Sequence, residues 1–387
     1  MFNFLLKTIF ALSIITVFAG LARANTYAVT VTADSGPGSL RQAIINANLH
    51  PPETGYRNTI RFHIPGGGVK SITLQSPLPA ILYPVEIDGS LQDSYGTAPA
   101  IEINGMNAGA NASGLRVVSG DLILKGVAIN RFRRYGIYVA SPGRLASMTN
   151  CRIGTDVSGT IDLGNRGDGI YLTGGFSNDD SSSFIGPDFA EPTSQNFARN
   201  RNVISGNGGN GIRVTNSHRV WIGGNYIGTD ANGLQDLGND ENGILFTSGS
   251  GQVGAEKMGD FDGPEEFFML RNLISGNDQN GVKISDSAND VVVNGNYIGT
   301  TASGNAALGN SQNGVLITNH DAAIRVGSFL LVFGSGPDGN LISGNKENGV
   351  KITGMKVNVA NNLIGTNAAG LQAVGNGQHG VPRETLR

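Results

Sequence analysis

Three basic residues recur at one position of a repeated segment, and their spacing suits an acidic polymer. Arg213, Lys283 and Lys351 each stand second in a short strand-like run that follows a glycine. If the repeats stack at the usual strand spacing, these cations lie about 9.6 Å apart, because one further repeat separates each pair. The other repeats carry aromatic or apolar residues at this position: Tyr171, Leu245 and Leu316. Cationic groups pair with carboxylates and sulfates, so Tyr171, Arg213, Lys283 and Lys351 form a candidate site for an acidic polysaccharide or cell-surface glycan.

An alternative explanation of these cations needs no ligand. Strand positions that face water must carry soluble side chains, and Lys and Arg are ordinary there. From the sequence alone this explanation is the stronger one, because a row of three cations arises easily by chance.

Catalytic chemistry has no clear place in the sequence. An inverting glycosidase needs two carboxylates about 6.5–9.5 Å apart. A β-eliminating lyase needs a strong base beside a group that neutralises the substrate carboxylate. Five histidines are spread along the chain without a recognisable ligand or triad pattern: His50, His63, His218, His320 and His379. The sequence therefore identifies no catalytic residue, and non-catalytic binding is the favoured interpretation.

A group of acidic residues suggests one metal. The segment 254–271 contains Asp260, Asp262, Glu265 and Glu266, and calcium takes six to eight oxygen ligands. The sequence Asp260-Phe-Asp-Gly matches only a fragment of a calcium loop. A solvated acidic loop is the alternative, and no other cofactor is implied.

The candidate residues belong to a chain with an internal repeat. A long phrase, typified by Asn-Tyr-Ile-Gly-Thr-Asp, begins at Cys151, Asn225, Asn296 and Asn362. A short phrase, typified by Asn-Leu-Ile-Ser-Gly-Asn, begins at Asn202, Asn272 and Asn340. Each phrase precedes a glycine and an apolar strand-like run, and several precede a third short run. Three short strands per repeat, joined by turns at Asn-Gly or Asp-Gly, predict the coils of a parallel β-helix.

Alternation within the second strand predicts which side chains are buried. Residues two apart on a strand face the same side, so twelve apolar residues should form two columns inside the tube. These are Ile170, Leu172, Ile212, Val214, Ile244, Phe246, Val282, Ile284, Val315, Ile317, Val350 and Ile352. The asparagines that open the phrases should also stack and bond through their amides. Cys151 replaces asparagine in that column, which predicts a structural thiol rather than a reactive one.

Longer segments interrupt the repeats that begin with the long phrase, at about 174–201, 254–271 and 319–339. Each is predicted to follow the third strand of its repeat and to bulge from one corner of the tube. The middle of the long phrase, Asp230 to Asn242, is predicted to protrude as a turn.

The beginning of the chain has the pattern of an export signal. Lys7, an apolar run and the ending Ala22-Arg23-Ala24 predict a signal peptide over residues 1–24, and hence a secreted, periplasmic or cell-surface protein. Residues 25–100 should form an N-terminal cap and the first coils, with an amphipathic helix that starts at a capping box of Ser39 and Gln42. Residues 101–381 should form the repeats and 382–387 an irregular tail.

Charge and hydropathy limit the partners. Without Lys7 and Arg23 of the predicted signal peptide, 25 of the 27 basic residues remain against 30 acidic ones, a poor balance for binding nucleic acid. No later segment is long and apolar enough to span a bilayer. The last repeat stops at Pro382 without a capping helix, so we expect either a truncated product of a longer protein or end-to-end self-association.

The alternating phrases resemble those of exported bacterial right-handed parallel β-helix repeat proteins, in the pectin-lyase-like fold group. Gly38-Ser-Leu-Arg-Gln-Ala43, with Val85-Glu-Ile-Asp-Gly89, is similar to the CSLREA-type region that often precedes such repeats. Gly38 stands where that region has cysteine, and Gln42 where it has glutamate. The resemblance implies an all-β, right-handed solenoid of three-strand coils with a strand-plus-helix cap. It defines no activity, because the group contains polysaccharide lyases, hydrolases, epimerases and non-catalytic adhesins.

One function and two alternatives follow. We expect an exported β-helix that presents an elongated surface to a carbohydrate or another cell-surface partner, without catalysis. The first alternative is a secreted polysaccharide lyase, hydrolase or epimerase that acts on an extracellular glycan. The second is a structural stalk or adhesin fragment.

Overall fold

The protein is a right-handed parallel β-helix with one α-helix near its N-terminus. The computed structural model describes residues 23–174, 182–187, 200–254, 270–318, 323–328, 339–354 and 356–382. The N-terminal region contains, in order, β1 (Thr26–Val29), α1 (Leu40–Leu49), β2 (Asn58–Phe62), β3 (Lys70–Thr73) and β4 (Val85–Asp88).

The coils that follow consist of short strands. The first of these are β5 (Ile101–Asn104), β6 (Leu115–Val117), β7 (Asp121–Lys125), β8 (Val127–Asn130), β9 (Ile137–Ala140), β10 (Arg144–Thr149), β11 (Arg152–Ile153), β12 (Ile170–Thr173) and β13 (Ser183–Ile185). The next are β14 (Val203–Ile204), β15 (Ile212–Thr215), β16 (Ser217–Ile222), β17 (Tyr226–Ile227), β18 (Ile244–Gly254), β19 (Leu273–Ile274) and β20 (Val282–Asn294). The last are β21 (Tyr297–Ile298), β22 (Val315–Ile317), β23 (Ile324–Val326), β24 (Leu341–Ile342), β25 (Val350–Ile352), β26 (Val357–Val359) and β27 (Leu363–Ile364).

These strands form three parallel sheets along the tube. Sheet 1 is built from ten strands: β3, β5, β8, β11, β14, β17, β19, β21, β24 and β27. Sheet 2 contains β6, β9, β12, β15, β22 and β25 with the first parts of β18 and β20. Sheet 3 contains β1, β2, β4, β7, β10, β13, β16, β23 and β26 with the last parts of β18 and β20. From β5 onward, each coil passes through the three sheets in this order.

The inward columns of sheet 2 confirm the predicted core. Eleven of the twelve predicted residues are buried, and Ile352 near the C-terminal end is partly buried. Burial of each such side chain stabilises the fold by about 1.5–3 kcal/mol. The strand register aligns these residues rung by rung, so the apolar columns fix the pairing of each coil with the next.

Buried asparagine ladders hold the corners of the tube. The predicted ladder joins Asn202, Asn225, Asn272, Asn296, Asn340 and Asn362 through Nδ2–Oδ1 bonds of 2.8–3.0 Å. A second ladder, which the sequence analysis missed, joins Asn165, Asn207, Asn239, Asn277, Asn310, Asn345 and Asn376. A third joins Asn210, Asn242, Asn280, Asn313 and Asn348. The repeated phrases are therefore the sequence of these corners.

Cys151 begins the first ladder, as its place in the repeat predicts. Its backbone N–H donates to Asn202 Oδ1 at 2.8 Å, and its Sγ donates to the carbonyl of Thr149 at 3.3 Å. The side chain is fully buried, and this burial raises the pKa of the thiol to about 12. A thiol of that pKa is protonated at neutral pH, which agrees with a structural role.

Helix α1 has the predicted start and the predicted buried face. Ser39 Oγ accepts a hydrogen bond from Gln42 N at 3.2 Å, so Ser39 is the N-cap. The side chain of Gln42 bonds to Asn46 Oδ1 at 2.9 Å instead of returning to the N-cap, so only half of the predicted capping box forms. Leu40, Ala43, Ile44 and Ala47 are buried in the apolar core.

The long segments between coils need one correction. The spans 174–201 and 319–339 do not simply follow a third strand, because each contains one: β13 and β23. The third segment, 254–271, does follow the last part of β18. The rest of these segments lies largely outside the described residues, so a ridge at one corner stays a prediction.

The long-phrase turns protrude over a shorter stretch than predicted. Asp230 and Asn242 are buried, whereas Leu234 between them is 60% exposed. Successive turns bond directly: Ala231 N donates to Gly159 O at 2.8 Å, Ala302 N to Gly233 O at 2.9 Å and Ala368 N to Gly304 O at 3.0 Å. The turns therefore form one continuous strip beside sheet 1.

The two ends of the chain lie partly outside the described residues. The structure does not describe residues 1–22 of the predicted signal peptide or 383–387 of the predicted tail. Export and self-association therefore stay predictions. Within the described part, β27 pairs on one side only, with β24. No helix in the described ranges has both the length and the apolar character needed to cross a membrane.

Candidate functional site

One outward column of sheet 2 contains every residue of the predicted glycan site. The parallel register aligns Arg116 with Tyr138, Tyr138 with Tyr171, and Tyr171 with Arg213. The same column continues through Leu245, Lys283, Leu316 and Lys351. We call these eight residues the cationic strip. Seven strand spacings give it a length of about 34 Å.

Tyrosines form an aromatic cluster at the N-terminal part of the cationic strip. The ring centres of Tyr138 and Tyr171 are 5.7 Å apart. Tyr135, in the turn before β9, lies 5.6 Å from Tyr138 and 5.1 Å from Tyr171. Such distances are typical of stacked and edge-to-face aromatic pairs, so the three rings hold one another in place.

Guanidinium groups flank the aromatic cluster. The Arg213 guanidinium carbon lies 4.8 Å from the centre of the Tyr171 ring, and that of Arg134 lies 5.0 Å from the centre of the Tyr135 ring. Arg213 Nε is buried and has no hydrogen-bond partner among the described residues. The ring holds the Arg213 guanidinium without using its N–H donors, and because Nε is buried, an oxyanion would bind the two terminal nitrogens.

The cations of the cationic strip are not neutralised within the described part of the chain. The five ion pairs found there all involve residues between Asp34 and Arg144. None of them includes Arg116, Arg213, Lys283 or Lys351. The strip itself contains no carboxylate, so its charge is positive along its whole length.

Hydroxyl groups lie beside the cationic strip, two residues further along the strands. Thr173 pairs with Thr215 in the ladder. Thr215 Oγ1 and Thr247 Oγ1 are 2.7 Å apart, and Thr173 Oγ1 donates to Tyr138 Oη at 3.4 Å. Together the two columns offer cations, ring faces and hydroxyls on one surface of sheet 2.

The N-terminal half of this surface was not predicted from the sequence. Arg116 and Tyr138 lie on β6 and β9, where the sequence is too irregular to align with the repeated phrases. The alternation along the strands could have identified Arg116 and Tyr138 as outward residues. Each of them stands between two inward apolar residues, as Tyr171 and Arg213 do. Arg134 and Tyr135 lie in a turn, where no period indicates the direction of a side chain.

Carboxylates at the corner between sheets 1 and 2 have shifted pKa values. Partial desolvation and the neighbouring charge of Asp240 raise the pKa of Asp162. Partial desolvation and the charge of Asp278 similarly raise the pKa of Asp236. These side chains remain exposed, so solvent screens their repulsion.

The predicted calcium ligands Asp260, Asp262, Glu265 and Glu266 lie outside the described residues, and the calcium site stays a prediction. In the ranges that are described, no group of three or more His, Cys, Asp or Glu side chains could hold a metal ion. His218 lies on sheet 3, where its Nδ1 is 3.3 Å from Ser250 Oγ, whereas the cationic strip lies on sheet 2.

Comparison with known proteins finds solved structures with low similarity to the chain. No family model matches the chain, and no curated protein matches it in sequence. The mannuronan C-5 epimerase AlgE4 A-module of Azotobacter vinelandii is 13% identical, with 93% of this chain and 97% of that chain covered and a TM-score of 0.39. The AlgE6 A-module of the same organism is 14% identical, with 92% and 98% covered and a TM-score of 0.25. Pectate lyase Pel9A is 15% identical, with 92% and 82% covered and a TM-score of 0.25.

Proposed function

We propose that the protein binds an acidic polysaccharide along the cationic strip of sheet 2, without converting it chemically. The observation that carries this proposal is the single ladder column of Arg116, Arg213, Lys283 and Lys351, none of which has an ion-pair partner among the described residues. Four uncompensated cations over about 34 Å match a polymer with repeated negative charges, not a small ion.

The tyrosines distinguish this surface from an ordinary basic face. Tyr135, Tyr138 and Tyr171 offer ring surfaces to the apolar faces of sugar rings, and their hydroxyls can bond to sugar hydroxyls. Thr173, Thr215 and Thr247 add donors and acceptors beside them. Strands hold these groups except Tyr135, whose ring is held by Tyr138 and Tyr171, so little side-chain entropy is lost on binding.

The proposed setting is outside the cytoplasm, in keeping with the signal-peptide pattern of residues 1–24. An extracellular or periplasmic glycan would then be the natural partner. A secreted lyase, hydrolase or epimerase remains the alternative function, and a stalk or adhesin fragment without glycan binding is the second one.

The test is retention of the protein on immobilised polygalacturonate. A variant with Arg213→Gln, Lys283→Gln and Lys351→Gln should lose at least tenfold in affinity, and its affinity should depend less steeply on salt. A control with the same change in charge replaces Arg61, Arg325 and Lys356, which lie on or beside strands of sheet 3. Equal affinity of the two triple variants would overturn the proposal.

The alternatives are separated in the same experiment. Ultraviolet absorbance of the incubated polymer detects lyase products, and a reducing-end assay detects hydrolysis. Turnover of polygalacturonate or of a panel of neutral and uronate polymers would favour the enzyme. If none of the polymers retains the wild-type protein, the structural stalk is favoured.

A further inference from the structure

A depression with two arginines lies at the corner between sheets 1 and 2, next to the aromatic cluster. Its volume is about 390 Å³, and it is lined by Met106, Asn107, Gly109, Ala110, Arg133 and Arg166. This volume lies within the range of roughly 300–1,000 Å³ that is usual for small-molecule sites. None of these described lining residues carries a carboxylate.

Three consecutive coils build this depression. Arg134 N donates to Ala112 O at 3.1 Å, which joins the turn after β5 to the turn after β8. Arg166 N donates to Phe132 O and Gly167 N to Arg134 O, both at 2.8 Å, which joins the turn after β8 to the turn before β12. Backbone hydrogen bonds therefore fix the main chain from which the side chains of Arg133 and Arg166 extend.

Both arginines are exposed and lack partners within the described residues. Arg131, two residues before Arg133, pairs with Glu102 at 3.1 Å, so this carboxylate does not neutralise Arg133. Two like charges that face one cavity repel each other, and an anion between them removes this repulsion. Planar guanidinium groups also match the two oxygens of a carboxylate or sulfate.

The residue that follows Arg133 in the chain connects the depression to the proposed glycan surface. Arg134 follows Arg133 directly, and its guanidinium carbon is 5.0 Å from the centre of the Tyr135 ring. The Tyr135 ring in turn contacts those of Tyr138 and Tyr171 in the cationic strip. A chain bound on sheet 2 would thus meet two further cations at the corner.

We infer that this depression is a subsite for one sugar unit bearing an oxyanion, with Arg133 and Arg166 binding the carboxylate or sulfate. The inference rests on the proposed function for its ligand class. It adds a site at which a short acidic oligosaccharide binds by itself, because a trisaccharide cannot contact all cations of the cationic strip.

The experiment measures binding of three trisaccharides by calorimetry: a galacturonate trimer, a sulfated trimer and a neutral trimer. The Arg133→Gln, Arg166→Gln variant should lose at least tenfold in affinity for one of the two acidic trimers. Its retention on long polygalacturonate should fall less than threefold. The matched control, Arg61→Gln with Arg325→Gln, should bind as the wild type does, and circular dichroism checks that all variants fold.

The outcomes separate the subsite from the proposed function. If this double variant loses affinity for the galacturonate or the sulfated trimer, the result supports the subsite and identifies whether it binds a carboxylate or a sulfate. The subsite is overturned if the Arg133→Gln, Arg166→Gln variant keeps its affinity for both acidic trimers, or if it loses as much affinity for the neutral trimer. This holds even if the triple variant of the cationic strip still binds polygalacturonate more weakly. Loss of trimer binding together with no wild-type retention on the polymer would support the subsite and overturn the extended site.

Discussion

The Arg213 guanidinium carbon lies 4.8 Å from the centre of the Tyr171 ring, and the two residues are directly opposed on neighbouring strands. Direct opposition on parallel strands allows this contact without distortion of either backbone. The ring contact holds the cation without using its N–H donors. Arg213 is therefore a cation of the cationic strip that is held by an aromatic ring while its terminal nitrogens can still bind an oxyanion.

We predict a measurable coupling between these two residues. In a double-mutant cycle with Tyr171→Leu and Arg213→Gln, the coupling energy for polygalacturonate binding should be about 0.5–1 kcal/mol, the usual strength of an exposed cation–π pair. Calorimetric titration of the four proteins measures it. The control cycle pairs Tyr171→Leu with Lys283→Gln, which lies three rungs away and should be additive. A coupling near zero in the first cycle would show that the ring does not orient Arg213.

The second prediction compares adjacent residues on β18. Ile244 is fully buried in the inward column, and Leu245 is half-buried in the outward one. Ile244→Asp places an unpaired charge in an apolar column and should cost several kcal/mol, enough to unfold the middle coils. Leu245→Asp places its carboxylate between Arg213 and Lys283 and should leave the melting temperature nearly unchanged. Thermal melts by circular dichroism measure both, and equal melting temperatures would contradict the assigned faces.

The third prediction concerns the start of the first ladder. Cys151→Asn would extend the amide ladder by one rung, because Asn202 Oδ1 already accepts the backbone N–H of residue 151 at 2.8 Å. One added buried hydrogen bond should stabilise the fold by about 1 kcal/mol. Urea titration of the variant checks this, with Cys151→Ser as the control that is too short to reach the next rung. A variant less stable than the control would mean that the corner has no room for an amide.

The fourth prediction tests the state of the thiol. Burial raises the pKa of Cys151 to about 12. The thiolate is the reactive species, so a thiol reagent at pH 8 should label the folded protein far more slowly than the urea-unfolded protein. Absorbance of the released chromophore reports both rates. Rapid labelling of the folded protein would show that the first ladder opens locally.

The core could be predicted from the sequence because a strand has a fixed period. Each residue two positions along faces the same side, so Ile244 and Phe246 could be assigned inward and Leu245 outward without coordinates. The first asparagine ladder was equally predictable, because every coil repeats the residue that the corner needs. Asn207 and Asn210 also recur once in every coil, so the same period carried the signal for their ladders, although these ladders were not predicted.

The site could be predicted only where the repeat is regular. Arg213, Lys283 and Lys351 share a register that follows from the repeats, so their column could be inferred. Arg133 and Arg166 lie in turns of different length, and only backbone bonds between coils bring them to one depression. Contacts of that kind depend on three-dimensional packing rather than on spacing along the chain.

The last prediction concerns pH. Although desolvation opposes it, hydrogen bonds from the backbone of Gln235 and Leu234 and from the side chain of Asn232 lower the pKa of Asp230 below 3.8. A lowered pKa in the folded state means that the ionised carboxylate stabilises the fold above pH 3.8, and that this contribution is lost as the pH falls through the lowered value. Asp230→Asn should therefore lower the melting temperature at pH 7, and this difference should shrink as the pH falls through the lowered pKa. The loss should stay below that of a whole hydrogen bond, about 1 kcal/mol, because an amide oxygen can accept the same bonds.

Two residues of the same fold provide the controls for this pH dependence. Asn367 already occupies the equivalent position in the last long-phrase turn, where its Oδ1 accepts from Leu371 N at 3.0 Å and from Gln372 N at 3.2 Å. The pKa of Asp236 is shifted in the opposite direction to that of Asp230. Desolvation and the charge of Asp278 raise it above 3.8, so the ionised form of Asp236 destabilises the fold at pH 7. Asp236→Asn should raise the melting temperature at pH 7 slightly, since solvent screens the repulsion, and the gain should vanish below pH 3.8. Melting curves between pH 2 and pH 7 that shift in the same direction for Asp230→Asn and Asp236→Asn would contradict the opposite environments assigned to these two carboxylates.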